Sequence, residues 1–159
     1  MTVETTRARI VALCGDIEGV TTAFDNIPRA LLDVELPAFV IFPGAATYNI
    51  NVDGNDIVVE TRIYRLILFV ASAALGTESA AQLAVDPFFD RVRDHFMARP
   101  GLELATDDAI VRHARLLGDD GFQVRPYPLQ AGERIPLYAA IEWRLQVEEM
   151  AEIAYVYTA

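Results

Sequence analysis

Few residue types in this chain could act as nucleophiles. Its single cysteine, Cys14, falls on the apolar side of a helical pattern, where a thiol usually packs as a small hydrophobic side chain. Ser72 lies in an apolar run and Ser79 at the start of a predicted helix, and neither has the glycine spacing of a nucleophile elbow. All thirteen basic residues are arginine, which excludes Schiff-base chemistry and a phosphate-loop lysine. We therefore expect a protein that is not an enzyme and has no catalytic residue or bound cofactor.

Histidines and paired carboxylates are the remaining candidates for metal ligands. His95 and His113 have no cysteine, aspartate or glutamate at a familiar ligand spacing, so surface or structural roles are expected for both. The aspartate pairs at 107–108 and 119–120 offer the oxygen ligands that calcium and magnesium prefer. Such pairs are more typical of turns and helix caps, and we expect no metal site.

The net charge limits the class of partner. Thirteen arginines oppose twenty-three acidic residues, which gives a formal charge of −10 and a pI of about 4.5. Wrapping of nucleic acid and adhesion to an anionic membrane both depend on basic side chains. The most apolar stretch, 66–75, is about half as long as a membrane-spanning helix. The composition therefore argues against a nucleic acid or a membrane as the binding partner.

Length and the first residues suggest one domain made in the cytoplasm. The chain has 159 residues, 53% of them hydrophobic, which suits a single domain over 1–159. Residues 1–9 lack the apolar run of a secretory signal, and one cysteine cannot form an internal disulfide.

Helical periodicity marks two segments. Over 3–18 the apolar residues recur on one face, and Gly19 is expected to end the helix. Over 77–99 a second apolar face is interleaved with charged residues, and Asp86 followed by Pro87 predicts either two helices or one kinked helix.

Strand patterns follow between and after these helices. The run 38–42 is predicted as a strand that the Pro-Gly pair at 43–44 stops. The runs 48–52 and 57–70 are joined by the glycine-containing turn 53–56, which predicts a β-hairpin. Because 57–70 would reach well beyond the core of a domain this size, we expect part of the hairpin to project from the body.

The last strand has the clearest pattern. Apolar and polar residues alternate over 137–148, so one face is expected to be buried and the other solvated. Before it, 109–117 is predicted as a strand and 122–132 as a loop; after it, 150–159 is again partly apolar, which is unusual for a free end. These patterns predict an α+β domain with an antiparallel-rich β-sheet, a long projecting hairpin and two main helices on one face.

Five segments carry a family likeness through their order. They are Asn-Ile-Pro-Arg at 26–29, Leu-Pro-Ala-Phe-Val at 36–40, the strand 62–70, the helix 86–92 and the strand 138–147. In this arrangement, which follows the opening helix, the chain resembles the tail terminator, or tail completion, proteins of long-tailed bacteriophages and phage-like particles. The resemblance extends over nearly the whole chain.

The resemblance implies a structural virion protein without catalytic residues. Subunits of that family assemble, usually as a six-membered ring, on the end of the tail tube, stop its polymerisation and form the surface that joins tail to head. The implied partners are further copies of the chain, the tail tube protein and head-tail connector proteins, in the neck of a virion assembled in the host cytoplasm. Six copies would carry about −60 formal charges, so DNA would pass through the lumen without specific binding.

Two surfaces are expected to contact neighbouring subunits or the tube under this resemblance: the hairpin 48–62 and the exposed face of the last strand. Arg62 and Arg65, beside acidic neighbours, suit interfacial ion pairs. An ordinary solvated strand face is the alternative for each residue. The candidate residues are Tyr48, Asn49, Asp53, Asn55, Asp56, Glu60, Arg62, Arg65, Glu142, Arg144 and Gln146.

Other functions remain open at the level of sequence. A head-to-tail adaptor, a stopper or a tail-tube subunit could share this pattern, since a chain that caps a polymer and one that forms it can have the same fold. A small enzyme or ligand-binding domain would need polar groups that converge in an apolar pocket between helices and sheet, and the sequence identifies none.

Overall fold

The computed structural model describes residues 2–50, 57–73, 78–104, 108–129 and 135–152. Within them, two helices and six strands form an α+β domain, as predicted. The helices are α1 (Val3–Gly15) and α2 (Glu78–Met97). The strands are β1 (Thr22–Ala23), β2 (Ala38–Ile50), β3 (Ile57–Ala73), β4 (His113–Asp119), β5 (Gln123–Pro126) and β6 (Leu137–Glu152). No described helix is long and apolar enough to cross a bilayer.

The sheet is dominated by three long antiparallel strands. Its order is β1-β2-β3-β6-β4, and β5 also pairs with β6. β4 and β5 pair with successive parts of the same β6 edge, opposite 143–148 and 137–140. Only the short pairing of β1 with β2 is parallel. The antiparallel-rich sheet is therefore confirmed.

Both helices cover the same face of this sheet. Ile10 of α1 and Val85 of α2 belong to one buried cluster with the sheet residues Ile41, Leu66 and Ile141. Alternation along the strands turns the neighbouring residues to the opposite face. There a smaller buried cluster forms from strand residues and from the chain segments that cross over them. Its members are Leu31, Val40, Ile67, Phe69, Tyr127, Tyr138 and Ala140.

Helix α1 forms where its periodicity predicts it. Thr2 caps its start by accepting a hydrogen bond from the Thr5 N–H at 3.2 Å, which satisfies one of the free donors of the first turn. Ile10, Leu13 and Cys14 are fully or almost fully buried, in agreement with the predicted apolar face. The helix ends at Gly15, a few residues before the predicted end near 18.

Strand β2 corrects the predicted stop at 43–44. Residues 38–50 form one strand, and the Pro-Gly pair produces only a register shift between Pro43 and Ala46. Beyond Phe39, β2 lies at the edge of the described sheet. Proline is tolerated at an edge and at a bulge because its missing N–H takes no ladder bond there.

The predicted hairpin pairs as expected, but its projection is not confirmed. Tyr48 pairs with Glu60 and Ile50 with the residue Val58 across the two arms. β3 is also paired with β6 along its whole length, as far as Ile57 opposite Glu152. The long β6 therefore accompanies the hairpin to the end of its described arms, and the hairpin does not extend beyond the sheet as a separate two-stranded arm within the described residues. The turn 53–56 lies outside the described residues.

Other boundaries also differ from the sequence prediction. α2 is one helix with Pro87 inside it, not two helices. β4 begins at His113 and ends at Asp119, later than the predicted 109–117. β5 occupies part of the predicted loop 122–132, and the two-residue β1 was not predicted.

The bulge in β2 predicts a specific need for glycine. A Cβ atom on Gly44 would lie 2.4 Å from the backbone oxygen of Ile63, so the paired strand would have to move. We expect Gly44→Ala to lower the free energy of unfolding by about 2 kcal/mol, measured by urea denaturation. Gly15→Ala is the control, since its Cβ would meet only Ala23 at an ordinary 3.7 Å. Equal stabilities for wild type and Gly44→Ala would contradict this packing.

Candidate functional site

The sheet divides the predicted interface residues between its two faces. Tyr48, Glu60 and Arg62 share the helix-covered face, because they alternate in register with the buried Tyr64 and Leu66. Asn49 and Arg65 lie on the opposite face, together with Glu142, Arg144 and Gln146 of β6. Asp53, Asn55 and Asp56 lie outside the described residues. Among the described residues, the hairpin candidates are therefore divided between the two faces, and Asn49 is the one that shares a face with the candidates of the last strand.

On the helix-covered face, Arg62 is held within its own chain. Its Nε donates to Glu60 Oε1 at 2.9 Å, and its Nη1 donates to the carbonyl oxygen of Gly44 at 2.7 Å. Nη2 lies 3.5 Å from the Tyr48 hydroxyl, which is exposed. The guanidinium thus links Glu60 to the backbone of the β2 bulge. The expected acidic neighbour is present, and it belongs to the same chain.

A buried polar contact next to this group joins α1 to the sheet. Thr6 donates a hydrogen bond from its hydroxyl to Glu149, and both residues are buried. Tyr64 is also buried beside them, and desolvation, with the charge of Glu149, raises the pKa of its phenol to about 12. Sequence reasoning missed this contact, because its partners are 143 positions apart.

On the opposite face, Glu142 is the centre of a charged cluster. Arg65 donates to both of its carboxylate oxygens, from Nη2 at 2.8 Å and from Nε at 3.2 Å. Arg125 donates from Nη1 to Oε1 at 3.2 Å. The Arg65 guanidinium also lies over the Phe42 ring, 5.7 Å from its centroid. Two guanidiniums therefore share one carboxylate in a fixed geometry.

The predicted exposure of Glu142 is wrong. The residue is only 7% exposed, because Arg65 and Arg125 cover it and the second apolar cluster buries the neighbouring Tyr138 and Ala140. Burial alone would raise the pKa of Glu142, but the hydrogen bonds and charges of the two arginines outweigh it, and the pKa falls below its ordinary value of 4.5. Glu142 is therefore charged in the folded protein at neutral pH.

Beyond Glu142 the same face becomes open. Arg144 is exposed and Gln146 half-buried, as predicted for a solvated strand face. Arg115 of β4 pairs with Gln146 and is also exposed, which the sequence analysis did not single out. The nearby Arg112 and Glu148 form a loose ion pair at 3.7 Å. This part of the sheet carries exposed positive charge in a chain that is acidic in total.

A groove between α2 and β4 is the second feature that sequence reasoning missed. It has a volume of about 490 Å³, and Trp143, Phe89 and Phe96 lie among its apolar lining residues. Met97 and Leu117, at 70% and 42% exposure, also line it. The sequence signal that could have found it is the pair Leu116 and Leu117, two large apolar residues in succession in a strand where alternation would expose one of them.

The side chains considered for catalysis or metal binding do not converge in the described structure. Cys14 is fully buried, and desolvation strongly raises the pKa of its thiol. Burial, and then Arg99, lower the pKa of His95, so its ring is neutral at pH 7. Asp119 accepts a hydrogen bond from the Gly121 N–H at 2.9 Å, as a turn residue does. Among the described residues, no three potential ligands form a group that could hold a metal ion.

Comparison with known proteins leaves the family undetermined. No family model matches this sequence, and no curated protein is significantly similar to it.

Proposed function

We propose that this chain is a structural subunit that assembles as a ring on the end of a bacteriophage-type tail tube. In this role it stops tube polymerisation and forms the surface that joins tail to head. The ring is six-membered, as in the tail terminator proteins that the sequence resembles. Its partners are further copies of the chain, the tail tube protein and the connector proteins of the head.

The observation that carries this proposal is the open sheet. Within the described residues, β2 has no partner strand along its outer edge beyond Phe39, and β4 has none along its outer edge. Long open edges are a liability for a monomeric protein, because their free N–H and C=O groups pair with other chains. They suit a subunit whose neighbours continue or cover the sheet.

The distribution of charge also favours contacts between different faces of neighbouring copies. Exposed Arg115 and Arg144 lie on the open sheet face, whereas α2 on the other side carries exposed Asp86, and Asp90 and Asp94 share the single Arg93 between them. Contacts between unlike surfaces are heterologous, and they close into a ring when the rotation permits it. A ring of six copies has about −60 formal charges, which keeps DNA in its channel from binding tightly.

The groove between α2 and β4 favours a second candidate function, a domain that binds a small apolar ligand. Its volume of about 490 Å³ is within the range of ligand pockets. Apolar side chains dominate its walls, and the charged residues Asp90, Arg93 and Arg115 are also among its lining residues. A stable monomer that binds a small apolar ligand in this groove would favour this second function over the ring.

Deletion of the gene from a particle-producing strain tests the proposed role. Electron microscopy of the lysate is expected to reveal overlong tails or tails without heads, because nothing would stop the tube or join it. Restoring the gene on a plasmid is the control. Tails of normal length that fail to attach would indicate an adaptor or stopper, and loss of all tails a tube subunit. Normal, infectious particles would contradict a role in the tail.

A further inference from the structure

The groove between α2 and β4 combines two kinds of binding surface. Its apolar wall consists of Phe89, Phe96 and Met97 from α2, facing Leu116 and Leu117 of β4. Met97 and Leu117 are exposed, although both are large apolar side chains. Beside this wall runs the outer edge of β4, which has no partner strand among the described residues. An extended segment placed there could bury apolar side chains and form backbone hydrogen bonds at the same time.

The backbone of β4 identifies the groups that are free to bind. The Ala114 N–H points away from β6 and donates to the carbonyl oxygen of Pro100 at 2.6 Å. In an antiparallel strand the outward direction recurs at every second residue. The N–H and C=O of Leu116 therefore point outward as well, toward the groove. The chain after α2 occupies one end of this edge at Ala114, whereas no described strand pairs with the outer side of the other end, near Gly118.

One segment of the chain has the sequence that such an edge requires. Residues 153–159 read Ile-Ala-Tyr-Val-Tyr-Thr-Ala, directly after β6, and lie beyond the described residues. They are rich in β-branched and aromatic types, and they contain no charge, proline or glycine. Ile153, Tyr155 and Tyr157 alternate with Ala154 and Val156, so one side of an extended segment would be bulky and the other smaller.

Seven residues are too few to run along the groove of their own chain. Leu116 is level with Leu145, seven residues before Glu152 along β6, which is a distance of about 23 Å. The outer edge of β4 lies about two strand spacings, or about 10 Å, to the side of β6. The straight path from Glu152 is therefore about 25 Å, and seven residues at full extension reach at most about 25 Å. At full extension, only residue 159 would therefore reach the position beside Leu116, and none would remain to lie along the groove.

The geometry points to residues 153–159 of a second copy of this chain as the occupant of the groove, added as a strand along the outer edge of β4. Each copy then gives its segment to one neighbour and receives another from the next. Such an exchange between unlike surfaces is heterologous, and it generates a ring when the rotation between neighbouring copies closes. The inference rests on the proposed function, for which it supplies the subunit contact.

Shortening the chain after Glu152 and blocking the groove are the two direct tests. Native mass spectrometry is expected to give a ring for the full chain and a folded monomer for the shortened chain. Met97→Arg is expected to give a monomer too, because a guanidinium would occupy the apolar wall. Leu83→Arg is the matched control, because Leu83 is on the same helix and 73% exposed but is not among the groove residues. The Leu83→Arg protein should therefore still assemble as a ring.

Mixing the two defective proteins gives a sharper result. The shortened chain retains a groove without a segment, and Met97→Arg retains a segment without a usable groove. One productive contact is then possible, so the mixture is expected to form a one-to-one heterodimer and nothing larger. A mixture that stays monomeric would overturn the inference.

A synthetic peptide of residues 152–159 provides a readout that does not depend on assembly. It is expected to bind the shortened chain, with binding reduced at least tenfold by Leu117→Arg and by scrambling the peptide. Rings formed by both the full chain and the chain shortened after Glu152 would overturn this inference and leave the proposed function intact. A full chain that is a monomer overturns the proposed function and this inference together.

Discussion

Replacing Trp143 with alanine is expected to lower the free energy of unfolding by about 4 kcal/mol. The indole is 2% exposed in the centre of β6 and packs in the helix-covered core. Its ring centroid lies 5.9 Å from that of Phe39 in β2 and 6.5 Å from that of Phe89 in α2. Trp143 therefore joins the middle of the sheet to α2, and its removal leaves a cavity between them.

Chemical denaturation of the purified protein measures this effect. Met150→Ala is the control, because Met150 lies on the same strand, is 48% exposed and should change the stability by less than about 0.5 kcal/mol. A loss of less than about 1 kcal/mol for Trp143→Ala would contradict its position in the core.

Replacing Glu142 with glutamine is expected to cost about 2 kcal/mol at neutral pH. The amide keeps the size of the side chain and one acceptor oxygen, but it removes the charge that Arg65 and Arg125 share. Two guanidiniums would then face each other without a counterion on a partly buried surface. Because the Arg65 side chain is 44% exposed, water relieves part of this cost, and we expect less than for a fully buried pair.

The pH dependence of this difference follows from the direction of the pKa shift. The folded-state pKa of Glu142 is below the ordinary 4.5, so its contribution to stability is complete above 4.5 and is lost as the pH falls through the folded-state value. Wild type and Glu142→Gln should therefore converge in stability on acidification. Glu148→Gln, on the same strand and face, is the control and should cost less than about 0.5 kcal/mol. A gap that widened in acid would contradict the ion-pair cluster.

The alternation along β6 shows what the sequence could predict. Ala139, Ile141, Trp143, Leu145 and Val147 are buried on the helix-covered face, as their period of two indicates. The periodicity of α1 is confirmed in the same way. In both elements, one apolar face packs against one layer, so a local pattern contains the required information.

The other face of β6 shows where local patterns fail. Tyr138 and Ala140 were expected to be solvated, yet both are buried, because Leu31 and Tyr127 pack over them from distant parts of the chain. Glu142 is buried by arginines 77 and 17 positions away. A polar residue in an alternating strand is compatible with solvent or with a partner, and only the fold decides which.

The predicted strand boundaries were wrong for a related reason. Pro43 and Gly44 are strong local stop signals, but β2 continues through them because the paired strand β3 supports the bulge on one side. β5 consists of four residues that contain a proline. It forms because β4 covers only residues 143–148 of the β6 edge and leaves 137–140 available for pairing.

Native mass spectrometry of the purified full chain tests the central claim most directly. A ring of six copies predicts a dominant species of about 106 kDa, six times the 17.6 kDa of one chain. The same sample viewed by electron microscopy should contain annular particles with a central channel. A stable 17.6 kDa monomer at micromolar concentration would contradict assembly as a ring.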